Sequence, residues 1–143
     1  MQKAKITVSG VSRNSDGVSR LETVNTGTFT EKNGYCYARY EETEASGMSG
    51  TTTTVKWNSS QVSLIRHGAY EMHQEFAEGG ACAGDYRTPY LMIPMETKTK
   101  KVRIKKLPYG WKIQLEYDLA YGATDMNRIV TTITVDLRER QQQ

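Results

Sequence analysis

The sequence has few of the residues that build disulfide frameworks or metal sites. Cysteine occurs twice in 143 residues, at Cys36 and Cys82, far apart and without the Cys-x-x-Cys spacing of zinc and redox sites. The two histidines, His67 and His73, fall on the polar phases of their predicted strands, which argues against a role as metal or haem ligands. We therefore predict free thiols and no metal or other cofactor.

Long hydrophobic runs are also missing, and hydrophobic residues make up only 37% of the chain. No apolar stretch reaches the length that a membrane-spanning helix needs. The first five residues, Met1–Lys5, lack the apolar region that marks a secretory signal, so we expect a cytoplasmic protein that does not contact the membrane. The net charge of +3 is too small, taken alone, to indicate a nucleic-acid binder.

Helical periodicity is scarce, and apolar and polar residues alternate instead along most of the chain. The plainest alternation, over residues 111–119, gives one face made of Trp111, Ile113, Leu115, Tyr117 and Leu119. Turn residues separate such runs, and the Asn33-Gly34 pair is a strong hairpin signal. The pattern predicts an all-β fold of about eight to ten antiparallel strands, forming an up-and-down barrel over residues 1–138. Residues 139–143 are predicted to form a disordered polar tail.

Glycine and proline interrupt the alternation at three places. Gly27 lies within the second run and predicts a bend or a β-bulge. The segment Glu78–Gly84 is too rich in glycine for the interior of a strand, so we expect either a plain turn or a mobile loop that covers the barrel mouth. Pro89 and Pro94 interrupt the run Tyr86–Met95 and predict an edge, a bulge or a corner.

Several segments also resemble a known family, and they occur in the same order along nearly the whole chain. They are Tyr37–Glu42, Thr53–Lys56, Leu64–Gly68, Phe76–Gly79, Tyr86–Tyr90 and Tyr117–Leu119. Together they are similar to the YwiB-like family of small uncharacterised bacterial proteins, which is grouped with the calycins. The resemblance implies a lipocalin-like β-barrel, and it implies no activity because the family has no established one.

Two charged residues fall on phases that should face the barrel interior. The strand Tyr35–Glu42 places one face inward, formed by Cys36, Ala38, Tyr40 and Glu42. Arg66 follows the apolar phase of its own strand. An isolated buried charge is costly, so two opposite charges inside one barrel are expected to pair. We predict a Glu42–Arg66 ion pair surrounded by Tyr40, Gln74 and Tyr117.

This pair has two interpretations that the sequence leaves open. In the first, it is structural or lies solvated at the barrel rim. In the second, the planar guanidinium of Arg66 binds a ligand carboxylate or phosphate while Glu42 orients it. Tyrosine side chains would then supply apolar walls with hydroxyl groups, and Tyr86 would contribute at the mouth. The second interpretation predicts a ligand-binding site that consists of Tyr40, Glu42, Arg66, Gln74, Tyr86 and Tyr117.

No sequence motif indicates an enzyme. The chain has no nucleotide-binding, metalloprotease or serine-hydrolase signature. Glu41 and Glu42 point to opposite faces of one strand, so they cannot act together on one substrate. We therefore predict non-catalytic binding of a small amphipathic or anionic ligand, by a monomer or a homodimer.

A basic run provides the alternative function. Six basic residues lie between Lys98 and Lys106 with no acidic residue among them: Lys98, Lys100, Lys101, Arg103, Lys105 and Lys106. A strand that displays them could follow a phosphate backbone or bind another protein. Lysines also protect a sheet edge from aggregation. We favour edge protection over nucleic acid as a partner, because no aromatic residues are interleaved as stacking platforms.

Overall fold

The alternating runs form ten antiparallel strands in a computed structural model, which describes residues 1–122 and 126–138. The predicted tail over residues 139–143 lies outside the described residues. A short 3-10 turn, Glu44–Ser46, lies between the third and fourth strands. The strands are β1 (Gln2–Asn14), β2 (Gly17–Lys32), β3 (Tyr35–Glu41), β4 (Thr51–Trp57), β5 (Val62–Gly68), β6 (Met72–Phe76), β7 (Ala81–Arg87), β8 (Met92–Leu107), β9 (Gly110–Tyr121) and β10 (Asn127–Asp136).

The strands belong to one sheet in the order β6-β5-β4-β3-β2-β1-β10-β9-β8-β7. All strands that are adjacent in this order are consecutive in sequence, apart from the β1–β10 pair that joins the two halves, and the predicted up-and-down barrel is confirmed. The predicted Asn33-Gly34 hairpin is also present, with φ of 54° and 84° at its two turn residues. The sheet curls until β6 meets β7 at one bridge, where Glu71 and Arg87 exchange backbone hydrogen bonds of 2.9 Å.

One end of the barrel is filled by an aromatic cluster. The indole of Trp57 lies 6.0 Å from the ring of Phe29 and 5.8 Å from the ring of Trp111, measured between ring centroids. Trp57 is fully buried, and β-branched and leucine side chains from β1, β9 and β10 pack around this end. This cluster closes one end of the barrel among the described residues, and the interior cavity described below lies towards the other end.

Of the bend or bulge expected at Gly27, the bulge is absent, and the bend stays a prediction. Its register against β1 is continuous, with Ala4 opposite Gly27 and Lys5 opposite Thr26. A Cβ atom at Gly27 would lie 2.1 Å from the carbonyl oxygen of Arg39. The glycine is therefore required by the close approach of β3, and the irregularity in the barrel lies in β8 instead, between Thr99 and Lys101.

The turn or loop expected over Glu78–Gly84 is wrong for residues 81–84, which belong to a strand. Only residues 77–80 form a turn, and strand β7 begins at Ala81 and pairs with β8 as far as Arg87. The strand is the last one in the sheet and most of its residues are exposed. Small residues are tolerated there because an edge strand does not need a continuous apolar face. This segment is held in the sheet and is not a lid.

The run Tyr86–Met95 is divided between two strands. Thr88 and Leu91 close a turn that contains Pro89, through a 2.9 Å backbone hydrogen bond, so the corner expected at Pro89 is confirmed. Pro94 lies inside β8, opposite Asp85 of β7. Pairing of β8 with β9 begins only at the next residue, so Pro94 has a strand on one side alone, which is where proline is tolerated.

Candidate ligand-binding site

The six residues predicted to form a site all line one cavity, whose volume is about 480 Å³. They come from β3, β5, β6, β7, β9 and the residue that follows β3, and they are Tyr40, Glu42, Arg66, Gln74, Tyr86 and Tyr117. Sheet register explains the convergence, because Tyr40 lies opposite Thr53 and Thr53 lies opposite Arg66. Side chains at matching positions of neighbouring strands point to the same side of the sheet.

The predicted Glu42–Arg66 ion pair is present inside this cavity. The Nε atom of Arg66 lies 3.8 Å from Oε2 of Glu42, and the Glu42 side chain is only 2% exposed. The hydroxyl group of Thr53 donates a hydrogen bond of 2.5 Å to the same carboxylate oxygen. The Glu42 backbone N–H donates to the Thr51 carbonyl at 2.8 Å, which fixes the start of the loop. The carboxylate is therefore held on one side by a strand and faces the arginine on the other.

The guanidinium of Arg66 keeps unused hydrogen-bonding capacity. Its Nε atom is buried and makes no hydrogen bond within residues 1–122 and 126–138. One terminal nitrogen donates to the sulfur of Met72 at 3.6 Å, and a thioether is a weak acceptor. The 3.8 Å ion pair is too long for a hydrogen bond. The Nε–H group without a hydrogen bond and the weakly bonded terminal nitrogen are donors that an anion would satisfy.

Tyrosine rings form the polar side of the cavity wall. Tyr86 stacks on Tyr70 with 6.1 Å between ring centroids and lies 5.9 Å from Tyr121. Burial raises the pKa of Tyr40, Tyr86, Tyr117 and Tyr121 above the ordinary value, and the positive charge of Arg66 opposes this to a smaller extent. The phenols stay protonated at neutral pH, so they offer hydroxyl groups rather than negative charge.

The opposite wall is aliphatic. It is built from β1, β9 and β10 by Val8, Leu115, Leu119, Ile129 and Ile133. Among the described residues that line the cavity, Arg66 is the one cation and Glu42 the one anion. A ligand that fits such a surface needs an apolar body and one polar or anionic group.

The loop between β3 and β4 forms part of the cavity mouth, and the sequence did not single it out for this role. Ser46, Gly47 and Met48 line the cavity, and the sulfur of Met48 lies 4.0 Å from the hydroxyl group of Tyr86. The glycines of this connection marked it only as a loop. Its position over the opening depends on where the 3-10 turn directs the chain after Glu42.

Gln74 links the two ends of the sheet, where β6 and β7 meet. The two strands share only the Glu71–Arg87 bridge among the described residues. Nε2 of Gln74 crosses beneath β7 and donates a buried hydrogen bond of 3.0 Å to Oγ1 of Thr97 on β8. The Gln74–Thr97 hydrogen bond therefore joins the two sides of the barrel below the unpaired backbone.

Replacing Gln74 with alanine should lower the free energy of unfolding by about 2 kcal/mol, because Thr97 would remain buried without a partner. We expect faster amide hydrogen exchange in β6 and β7 than in β3 or β9, which can be measured by mass spectrometry. Gln114→Ala, at an exposed glutamine of β9, is the matched control and should change neither quantity. Equal exchange in all strands of the Gln74 variant would contradict the proposed role of this hydrogen bond.

Five of the six basic residues of β8 share the outer face of the barrel, and the sixth, Lys106, follows the phase of Ile104 and lies 5.6 Å from the Trp111 ring centroid. The bulge between Thr99 and Lys101 shifts the phase of the strand by one residue, so basic side chains before and after it are all exposed. Two of them face carboxylates at 3.7 Å, Lys98 with Glu96 and Lys100 with Asp118. The bulge thus keeps the charges out of the core.

Asp118 is itself the centre of an ion-pair network on this face. A hydrogen bond from Arg128 lowers the pKa of Asp118 below its ordinary value, against the opposing effect of burial, and the charge of Lys100 acts in the same direction as Arg128. Glu116 also lies near Arg128, at 3.4 Å. The basic face is therefore partly neutralised by its neighbouring strands.

Two further observations limit the chemistry of the described residues. No group of three or more histidine, cysteine or acidic side chains lies close enough together there to hold a metal ion. No helix in this part of the chain has the length and apolar character needed to cross a membrane.

Comparison with known proteins agrees with this geometry. A family model described as a domain of unknown function, DUF1934, matches residues 6–133. The chain belongs to this family. It is 26% identical over 116 residues to an uncharacterised β-barrel protein, YwiB, of Bacillus subtilis strain 168, and the match covers 81% of this chain and 80% of that protein.

A crystal structure of the Bacillus subtilis YwiB protein has the same fold. It superimposes with a TM-score of 0.85 at 22% sequence identity, covering 96% of this chain and 93% of that one. The family expected from the sequence segments is confirmed, and the barrel is consistent with a calycin-like architecture. The name of this relative carries no activity, so the function has to be argued from the cavity itself.

Proposed function

We propose that the protein binds a small amphipathic ligand with one anionic group inside its barrel, without catalysing a reaction. The observation that carries this proposal is the guanidinium of Arg66, which faces a cavity of about 480 Å³ and whose buried Nε atom makes no hydrogen bond within the described residues. A cavity of this size lies within the usual range for small-molecule sites. The donors would be costly to leave without acceptors unless a ligand, or water in its absence, completes them.

The surroundings of Arg66 support a definite orientation of the ligand. Glu42, held by Thr53, balances the arginine charge and limits its rotation. A carboxylate or phosphate group would accept two parallel hydrogen bonds from the planar guanidinium. The apolar body would lie along the aliphatic wall formed by β1, β9 and β10. Protonated tyrosine hydroxyl groups would supply the remaining donors.

We propose a non-catalytic role because no described lining residue forms a nucleophile–base pair. The only carboxylate, Glu42, is engaged by Thr53 and Arg66, and burial keeps the phenols protonated. An activated nucleophile needs a base within hydrogen-bonding distance. The cytoplasmic location predicted from the sequence remains a prediction.

Native mass spectrometry of the protein purified from its own cells tests this proposal. We expect a persistent extra mass on the folded protein, released on denaturation and identified by fragmentation as a molecule with an anionic group. Protein that is unfolded, washed and refolded is the control and should show the apo mass, then regain the mass on exposure to the identified molecule. A clean apo mass from cells, with no binding of the anionic amphiphiles in a cell extract, would sink the binding function.

The alternative function, a nucleic-acid or protein interaction through Lys98–Lys106, is supported by the exposure of all six basic residues, five of them on one face. The carboxylates of Glu96 and Asp118 beside Lys98 and Lys100 weaken it. Filter binding of single-stranded oligonucleotides at low and moderate salt separates the two functions. Retention that falls steeply with salt would support the alternative, because phosphate contacts release counterions.

A further inference from the structure

Strand β2 has an open edge beside the cavity mouth. It pairs with β1 from Gly17 to Phe29, but its pairing with β3 begins only at Gly27. Within residues 1–122 and 126–138, no strand pairs with residues 18–26 of β2 on the side opposite β1. No strand therefore hydrogen-bonds to the first half of β2 on that side, and the 3-10 turn Glu44–Ser46 also lies near β2.

This edge lacks the protection that the other long edge carries. Residues 18–26 contain neither lysine nor proline, and their two charged residues, Arg20 and Glu22, have opposite signs, whereas the outer part of β8 is rich in lysine. Three apolar side chains are more than half exposed along it: Val18 at 54%, Leu21 at 53% and Val24 at 63%. Natural sheets guard open edges with lysine, proline or bulges unless the edge is used for pairing. The contrast indicates that the β2 edge has a partner.

The hydrogen-bonding groups on this edge alternate in a known phase. Asn14 and Gly17 close a two-residue turn and thus form a hydrogen-bonded pair between β1 and β2. Odd-numbered residues of β2 then direct their N–H and C=O groups to β1, and even-numbered residues direct theirs to the open edge. The Asn33-Gly34 turn gives the same phase, because Lys32 pairs with Tyr35 across it. Val18, Arg20, Glu22 and Val24 thus present the free groups.

We propose that the partner is a second copy of this chain, paired antiparallel along β2 about a two-fold axis at Leu21. In this register Val18 lies opposite Val24 of the second copy, and Arg20 lies opposite Glu22 of the second copy. All four residues belong to the even-numbered set, so each pair forms two backbone hydrogen bonds. The outer face then carries two apolar pairs and two ion pairs, and the segment is complementary to itself.

Neighbouring registers lose this complementarity. Moving the axis to Ser19 would place Arg20 opposite Val18, and moving it to Thr23 would place Glu22 opposite Val24. In the Leu21 register, the paired segment also ends just before the residue of β2 at which β3 begins to pair. Gly17 of the second copy reaches Asn25, and its turn closes there, beyond which β3 occupies the edge from Gly27. The paired segment therefore fills the open part of the edge.

Dimerisation in this way would bring the mouths of the two cavities close to each other. It does not depend on ligand binding. Leu21 lines the cavity at its mouth. At the two-fold axis it meets Leu21 of the second copy in a pair without backbone hydrogen bonds, where side chains are closest. Each mouth would gain an apolar neighbour that a monomer lacks.

Sedimentation velocity over a wide concentration range, applied to the wild-type protein and to variants that reverse the charges of Arg20 and Glu22, tests the proposal. The wild-type protein should form a dimer whose fraction rises with concentration. Arg20→Glu should abolish the dimer because it sets two glutamates opposite each other, and Glu22→Arg should do so by setting two arginines opposite each other. The double variant Arg20→Glu/Glu22→Arg should restore it. A wild-type monomer at every concentration, or a dimer that both single variants leave intact, would overturn the proposal.

A cysteine placed at the axis tests the register. Opposed residues in a pair without backbone hydrogen bonds have Cα atoms about 4.5 Å apart, which is within disulfide range. Leu21→Cys should therefore give a covalent dimer on mild oxidation. Ser19→Cys, on the same strand face but opposite Thr23 of the second copy, should not, and neither should the wild-type protein with Cys36 and Cys82 alone. Equal cross-linking of both variants would contradict the Leu21 axis.

Discussion

Arg66→Met is expected to weaken binding of the anionic ligand by about 100-fold, equivalent to about 2.7 kcal/mol. The guanidinium is the one cation among the described residues lining the cavity, and its buried Nε atom makes no hydrogen bond within them. Methionine keeps most of the side-chain volume, so the apolar wall would remain. Isothermal titration with the molecule recovered from the native protein gives the change in affinity.

Two companion variants separate charge from geometry. Arg66→Lys retains the positive charge but lacks the planar fork, so it should recover only part of the affinity. Arg39→Met removes an exposed arginine on the outer face of β3 and should bind as the wild-type protein does. Unchanged affinity in Arg66→Met would show that the ligand's anionic group lies elsewhere.

The Arg66→Met variant should also be less stable, by about 3 kcal/mol, because Glu42 would remain buried without its counter-charge. Binding must therefore be measured at a temperature where chemical denaturation shows the variant to be folded. Adding Glu42→Gln to Arg66→Met should return part of this stability while leaving the ligand affinity low. This pattern distinguishes loss of a ligand contact from loss of the fold.

Gly27→Ala is expected to lower the free energy of unfolding by at least about 3 kcal/mol. The new Cβ would lie 2.1 Å from the Arg39 carbonyl oxygen and 2.8 Å from Cδ1 of Ile6, which is fully buried. Neither neighbour is the end of a flexible surface side chain. The β2–β3 pair would have to separate at the position where it begins. Urea unfolding followed by circular dichroism measures the loss.

Gly10→Ala is the control for this change. It removes a glycine from the adjacent strand β1, but an added Cβ there meets no atom within 4 Å. Its stability should equal or slightly exceed that of the wild-type protein, because alanine reduces the entropy of the unfolded chain. If the two alanine variants were equally stable, the close approach at Gly27 would not be a constraint on the fold.

Most of the fold could be predicted because each strand carries its own two-residue period. The alternation in residues 111–119 and the Asn33-Gly34 turn are local signals, and both agree with the structure. The Glu42–Arg66 pair could be predicted from the cost of burying a lone charge, once both residues were placed on inward phases.

The features that were missed depend on contacts between distant segments. The role of Gly27 requires the carbonyl group of Arg39, and nothing near Gly27 in sequence encodes that approach. Strand β7 was missed because an edge strand with few buried residues shows no alternation. The loop at Met48 reaches the cavity only because the barrel curves beneath it.

The aromatic cluster at the filled end has a consequence for spectroscopy. Trp57 and Trp111 are the chain's two tryptophans, and both lie there, whereas the cavity is lined by tyrosines. Tryptophan emission therefore reports the integrity of the closed end, and tyrosine absorbance is the signal that responds directly to a ligand. The molecule carries two optical probes, one for folding and one for occupancy, at opposite ends of a single barrel.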